Sequence, residues 1–221
     1  MFIGHYAAGL ALKGYEKRAS LGMLFIIVQF VDILFFPLMM AGIEKVRLIP
    51  NFTEVNSFDM YFYPYTHGLL SGLLWAGLFY LLYLVIPAKS KPGRKSIAAV
   101  MAFGVISHWF ADLIVHTPDL PILGDNSLKV GFGLWNNAPA TFILEAVLVV
   151  SAMWYYLKKT TATSPVGKYG MYIFIGFMIL MNYVNMFVMP QGDDIAEVSI
   201  SALIAYFLFA GIANYLDKKR A

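Results

Sequence analysis

Six stretches of the chain stay apolar for the roughly 20 residues that a helix needs to cross the hydrocarbon core of a bilayer. They cover residues 20–42, 66–87, 96–116, 139–157, 169–189 and 198–216. In lipid every backbone N–H and C=O must be paired within the segment, so each run reads as a helix. Hydrophobic residues make up 60% of the 221, and charged residues 13%, where a soluble domain carries about 25% charged residues. That much apolar surface does not fit inside one soluble core. The composition therefore excludes a soluble enzyme, a disordered tail and a nucleic-acid module. The fold expected is all-α: a polytopic integral membrane bundle of six transmembrane helices plus a short N-terminal inserted helix, forming a single domain over residues 1–221. Residues 89–93 and 160–167 carry the polar, Pro and Gly punctuation of connecting loops.

A shorter apolar run, residues 2–12, precedes the first basic residues. Its charges follow the run instead of leading it, the reverse of a cleaved signal peptide. Two readings stand. The run is a short inserted helix that carries His5 into the bundle, or it lies flat at the membrane interface.

The loops divide by charge. Thirteen of the 16 Lys and Arg fall in one alternating set of segments (13–18, 89–95, 158–168 and 218–220), leaving Lys45, Arg47 and Lys129 for the other. The positive-inside rule makes the first set cytoplasmic, with the N-terminal basic segment and the C-terminus both facing inward. Most of the 13 acids lie in the opposite loops, but Asp32, Asp112 and Glu145 lie inside apolar runs that contain no Lys or Arg.

An ionised Asp at the centre of a membrane helix costs about 2.5–3.5 kcal/mol even on the milder scale. Three accounts remain open: the carboxyls are protonated, they face water, or they share a bound cation with histidines. With no cysteine and four histidines, any metal here would be held by His, Asp or Glu.

His108, Asp112 and His116 stand at i, i+4 and i+8, on one helix face that drifts about 40° per step over about 12 Å. One ion can take an adjacent pair but not all three. At about 1.5 Å per residue, Asp32 and His108 lie about 18 Å from the cytoplasmic edge, and Glu145 falls near the level of Asp112. An inserted residues 2–12 segment puts His5 about 12 Å in, and His67 and His116 sit at outer helix ends. All seven can line one cavity opening outward. Plainer readings exist for several of them. His67 and His116 can reach water or headgroups, and Glu145 can be a neutral acid bonding across helices. The Tyr61–Tyr65 cluster suits an interfacial belt, and Gly68-x3-Gly72 suits close helix packing.

His5-Tyr6-Ala7-Ala8-Gly9-Leu10-Ala11-Leu12, Asp32 in mid-run, Tyr65-Thr66-His67 and Ser107-His108-x3-Asp112 occur in that order. In these motifs, over residues 1–120, the chain resembles the bacterial inner-membrane metal-dependent hydrolase family described as LexA-binding and YdjM-like. It departs from the family in two places. The family's Pro-Asp-x-Asp run is Gln29-Phe30-Val31-Asp32 here, and its His-Arg-x-x-Thr-His-Ser is Phe62-Tyr63-Pro64-Tyr65-Thr66-His67-Gly68.

The resemblance implies a hydrolase of the bacterial inner membrane. A divalent metal would be held by His5, His67, His108 and one or both of Asp32 and Asp112, with His116 a further candidate. Glu145 lies beyond the matched residues, and its place in an apolar run near the level of Asp112 makes it the candidate general base. Zinc fits histidine-rich ligation best, and Mn or Fe also suit these ligand types. A site at this depth suits an amphiphilic or lipid-linked substrate. Membrane lipids are the expected surroundings, nucleic acid is not a partner, and a homo-oligomer is compatible with the sequence. Two rival readings are a permease moving ions or protons along the carboxylates and histidines, and a membrane assembly partner whose polar groups only join helices. Against the permease, the chain shows no repeated pair of Gly/Pro-broken helices.

Overall fold

The computed structural model describes residues 1–85 and 93–221. Its described residues form eight α-helices: α1 (Gly4–Tyr15), α2 (Leu21–Val28), α3 (Phe30–Met40), α4 (Leu69–Val85), α5 (Arg94–Val115), α6 (Ala138–Lys159), α7 (Pro165–Phe187) and α8 (Ile195–Asp217). Four of these, α5 to α8, are long and apolar enough to cross a membrane, and α2 with α3 makes a fifth if their 48° bend is one broken span. α4 is a shorter apolar helix of 17 residues. Pro87, the expected end of its run, and the basic residues Lys89 and Lys91 lie outside the described residues.

The helix starts follow local chemistry. Asn137, Ser164 and Asp194 each accept a hydrogen bond from a backbone N–H three residues on, capping α6, α7 and α8, and Pro139 and Pro165 occupy first-turn positions where a missing N–H costs nothing.

The side chains are arranged as lipid favours. Leu74, Leu81, Phe103, Ile143, Ile173 and Ile204 are each more than half exposed on the outer helix faces, while His5, Gln29, His67, His108, Asp112, Glu145 and Asn182 are buried. Polar groups inside and apolar groups outside are the reverse of a soluble protein's surface.

The loops gather at two ends. At one, Lys13 Nζ meets Asp217 at 2.8 Å and Arg220 donates to the Thr160 carbonyl at 2.9 Å. Lys158 lies 3.6 Å above the Trp154 ring and Lys219 5.4 Å above Tyr215, the pairing expected where basic and aromatic side chains share an interface. At the other end, Leu70 N–H donates to Ile122 O at 2.9 Å, Ala138 N–H to Glu54 at 2.8 Å, and Ser57 Oγ to Gly192 O at 2.9 Å. The loop sets separated by charge are thus also held together by contact.

Three features differ from the expectation. The run 20–42 is two helices, broken at Gln29 (φ −103°, ψ 4°), and Pro37 removes a further donor within α3. Two small antiparallel hairpins occupy loops expected to be irregular: β1 (Lys45–Leu48) with β2 (Phe58–Phe62), and β3 (Leu120–Pro121) with β4 (Lys129–Val130). α4 begins at Leu69, three residues later than expected, because the Leu70 N–H, which would bond Thr66 O in a helix starting there, donates to Ile122 O instead. His67 therefore lies in the turn before α4. α1, in contrast, packs into the bundle and is not laid flat on its surface, as the inserted reading requires: Ile3, Tyr6 and Leu10 are fully buried, and it packs against α6, α2 and α5.

Candidate metal centre

All four histidines of the chain converge on two carboxylates. α5 supplies His108 and Asp112 one turn apart, with Nε2 of His108 3.0 Å from Asp112 Oδ2. The turn before α4 supplies His67, whose Nε2 is 3.3 Å from Asp32 Oδ1 and 3.8 Å from Asp112 Oδ2. α3 supplies Asp32, with Oδ1 3.4 Å from His108 Nε2. These four atoms form a closed ring of 3.0–3.8 Å edges. Zinc bonds of about 2.0–2.1 Å set tetrahedral ligands about 3.3 Å apart, and these edges lie near that spacing. Two overlapping triads, His5–Asp32–His108 and His67–His108–Asp112, have ligand atoms within 4.8 Å of one another.

Several ring nitrogens at the centre lack a well-aligned hydrogen bond. Nε2 of His108 and both ring nitrogens of His5 have no hydrogen-bond partner, although each Nε2 lies within 3.2 Å of an Asp112 oxygen. They meet the carboxylate without aiming an N–H at it. A buried polar atom left this way is costly unless something else satisfies it. The Met1 amine, 2.6 Å from Asp112 Oδ1, brings one positive charge against the two carboxylates.

Three rings are fixed from behind. Nδ1 of His108 lies 2.8 Å from the Val28 carbonyl. A helix end leaves its last carbonyls without intrahelical partners, so the break at Gln29 makes that acceptor available. Nδ1 of His67 lies 2.8 Å from Thr66 Oγ1, whose hydroxyl donates to the buried Glu44 at 2.7 Å. Nδ1 of His116 lies 3.0 Å from Asp119 Oδ1, which also accepts from Tyr63 OH at 2.7 Å. An acceptor on Nδ1 places the proton there and leaves the Nε2 lone pair for a ligand, the usual support of a metal-binding histidine.

His116 is not on the helix face. It is the extended C-cap of α5 (φ −61°, ψ 147°), and its Nε2 stands 3.7 Å from Asp112 Oδ2, at the side of the quartet. It is held by the segment after β4: Gly133 N–H donates to His116 O at 2.7 Å, and a Cβ on Gly131 would come within 2.5 Å of that same carbonyl. His5, from α1, stacks on His108 with ring centroids 3.7 Å apart.

Glu145 has other partners than the base role needs. Its carboxylate accepts from Phe2 N–H at 3.1 Å and Gly4 N–H at 2.9 Å, closing the N-terminus of α1. Tyr63, placed by sequence in an interfacial belt, is fully buried beside His116, while Tyr61 and Tyr65 are exposed. Gly72 does allow close packing, since its Cβ would lie 3.2 Å from Ile106 of α5. Gln29 donates to Phe2 O at 3.4 Å and ties the start of α1 to the α2–α3 break.

Sequence reasoning missed Glu44, Asp119, Tyr63 and Tyr206. The two acids looked like solvated loop residues, and only burial distinguishes them. Burial pushes the Glu44 carboxyl above its usual range, against hydrogen bonds from Thr66 and Tyr65. Burial acts on Asp119 in the same way, but hydrogen bonds from His116, Tyr63 and Thr117 outweigh it and hold the carboxyl below the ordinary value. Tyr206 of α8 donates to Asp32 Oδ2 at 3.0 Å. The Asp32 side chain is 14% exposed, against 3% or less for the histidines and Asp112, so it marks the open edge of the centre. No family model, curated protein or solved structure matches the chain.

Proposed function

We propose that the protein is a metal-dependent hydrolase of the bacterial inner membrane, crossing it six times with its basic loops and C-terminus in the cytoplasm. The observation that carries the metal is the set of three histidines fixed through Nδ1 with Nε2 turned toward Asp32 and Asp112. His67, His108, Asp32 and Asp112 would hold the ion, with His5 and His116 flanking it, and zinc suits this donor set. A bound divalent ion supplies Lewis acidity and an acidified water, the chemistry for cleaving a carbonyl or phosphoryl ester.

The protein's own residues set the rest. Burial of the histidines keeps bulk water away, and Asp32 with the Tyr206 hydroxyl forms the edge where a substrate meets the centre. Because Glu145 is committed to α1, it is a positioning group in this reading. An amphiphilic substrate is supported by the apolar outer helix faces. Hydrolysis itself rests on the family resemblance in Thr66-His67 and His108-x3-Asp112.

A proton-coupled permease is the second reading. It is favoured by the line of groups from Asp112 through His116 to Asp119 at the hairpin end. Metal content separates the two. Protein purified in detergent is expected to carry stoichiometric metal, and Asp112→Asn to lower its affinity by at least about 10–100-fold. Metal-free wild type, together with an unaltered Asp112→Asn variant, would overturn the hydrolase reading and favour the one in which the polar groups only join helices.

A further inference from the structure

Glu44 is a fully buried acid in the turn after α3. Its Oε1 accepts from the backbone N–H groups of Tyr65 at 2.9 Å and Thr66 at 3.0 Å. Its Oε2 accepts from the Thr66 hydroxyl at 2.7 Å. The backbone bonds alone would make Glu44 a brace for the turn that precedes α4. The side-chain bond adds something a brace does not need, because the same hydroxyl oxygen lies 2.8 Å from Nδ1 of His67.

A hydroxyl has one proton to give. With Glu44 ionised, that proton is committed to Oε2, and the Thr66 oxygen can face His67 only as an acceptor. Nδ1 must then carry the ring proton, and Nε2 keeps its lone pair. That lone pair is the atom 3.3 Å from Asp32 and 3.8 Å from Asp112.

We propose that Glu44, acting through the Thr66 hydroxyl, is a positioning residue that fixes His67 in its Nδ1–H tautomer and so prepares Nε2 as a ligand. The inference builds on the metal-centre reading but makes a claim of its own about the metal-free protein. The signal in sequence is weak: Thr66 precedes His67 directly, while Glu44 lies 22 residues before Thr66 and looks like any other loop acid.

The test reads the tautomer directly, by ¹⁵N spectra of histidine-labelled, metal-free protein. Only four histidines contribute, and single His→Gln substitutions assign them. Wild type should show His67 protonated at Nδ1. Thr66→Val removes the acceptor and should give a mixed tautomer, whereas Thr66→Ser should keep the wild-type signal. Glu44→Gln presents an amide that can donate to the Thr66 oxygen. The hydroxyl is then free to turn toward Nδ1, and the ring proton should move to Nε2. Affinity for Co²⁺, measured against a chelator, should fall about 10–100-fold in Thr66→Val and Glu44→Gln, the usual effect of losing such a partner, and stay near wild type in Thr66→Ser.

A brace alone would alter the thermal midpoint without moving the tautomer. An Nε2–H signal for His67 in wild type would overturn the proposal, as would Thr66→Val and Glu44→Gln variants with wild-type tautomer and Co²⁺ affinity. Wild type with the expected tautomer responses and no stoichiometric Co²⁺ would uphold the positioning role and remove the metal-centre reading instead. Should Thr66→Val fail to fold, Thr66→Ala takes its place.

Discussion

Gly104 controls how closely α2 approaches α5, and Gly104→Ala tests whether that approach matters to the site. A Cβ at Gly104 would stand 2.7 Å from Cγ2 of Ile27, where carbon atoms settle at about 3.5–4.0 Å. The two helices must part by about 0.8 Å or more at that level. Ile27 cannot simply turn aside, because it is buried and its branched Cβ leaves little freedom at χ1. Gly104 lies one turn before His108, whose Nδ1 is 2.8 Å from the neighbouring Val28 carbonyl. A shift of about 0.8 Å takes that contact beyond the usual hydrogen-bond limit of about 3.2 Å. The variant should lose about 1–3 kcal/mol of stability to overpacking and about 10–100-fold in metal affinity through the freed ring. Chelator competition gives the affinity, and thermal unfolding in detergent gives the stability. Ile27→Ala in the same chain removes the clashing methyl, so metal affinity should return even though the new cavity costs a further ~2–5 kcal/mol. Gly104→Ala protein that is less stable but binds metal like wild type would refute the role given to Val28. So would a double variant that fails to recover affinity.

Glu145→Ala leaves the buried N–H groups of Phe2 and Gly4 without their acceptor, and should cost about 1–3 kcal/mol in denaturant unfolding. Glu145→Gln keeps one oxygen and should cost less, an ordering not expected of a residue that acts only as a base. Cysteines placed at the exposed Thr161 and Asn126 of this Cys-free chain should be labelled from opposite sides of the membrane. Labelling of both from one side would sink the six-span topology. Hydrogen bonding from Arg18 holds the Glu16 carboxyl at about 2, below the unfolded value of about 4.3. The resulting stabilisation should be complete above about pH 4.3 and disappear as the pH falls through about 2. Thermal midpoints of wild type and Glu16→Gln should therefore differ at neutral pH and converge in acid.

Much of the site was legible where it depended on one segment. The i, i+4 spacing of His108 and Asp112 places them on adjacent turns of any helix, and the structure brings their polar atoms to 3.0 Å. Thr66-His67 announced a polar pair, although the turn that holds it was expected to be helix. Glu145 was correctly marked as unusual by its place in an apolar run, but nothing local could show that it closes a helix start 141 residues away. Tyr63 and Asp119 were set aside because aromatic and acidic residues in loops ordinarily meet solvent or lipid.

The sequence by itself determined the apolar helices and the sorting of their connections into a basic and an acidic set. Both follow from the free energy of placing each residue in lipid or at its edge, and that depends on residue type and neighbours along the chain. Which polar atoms meet depends on how the helices pack in three dimensions. The break at Gln29 offers the Val28 carbonyl to a ring 80 residues away, and α1 is buried deeply enough to stack His5 on His108. The Glu44 loop folds under Thr66 across 22 residues. These contacts are set by how helices cross and by where glycines let them approach. Hydrogen bonding reaches only about 3 Å, so a helix placed 1 Å differently would keep its hydrophobic pattern and lose the site.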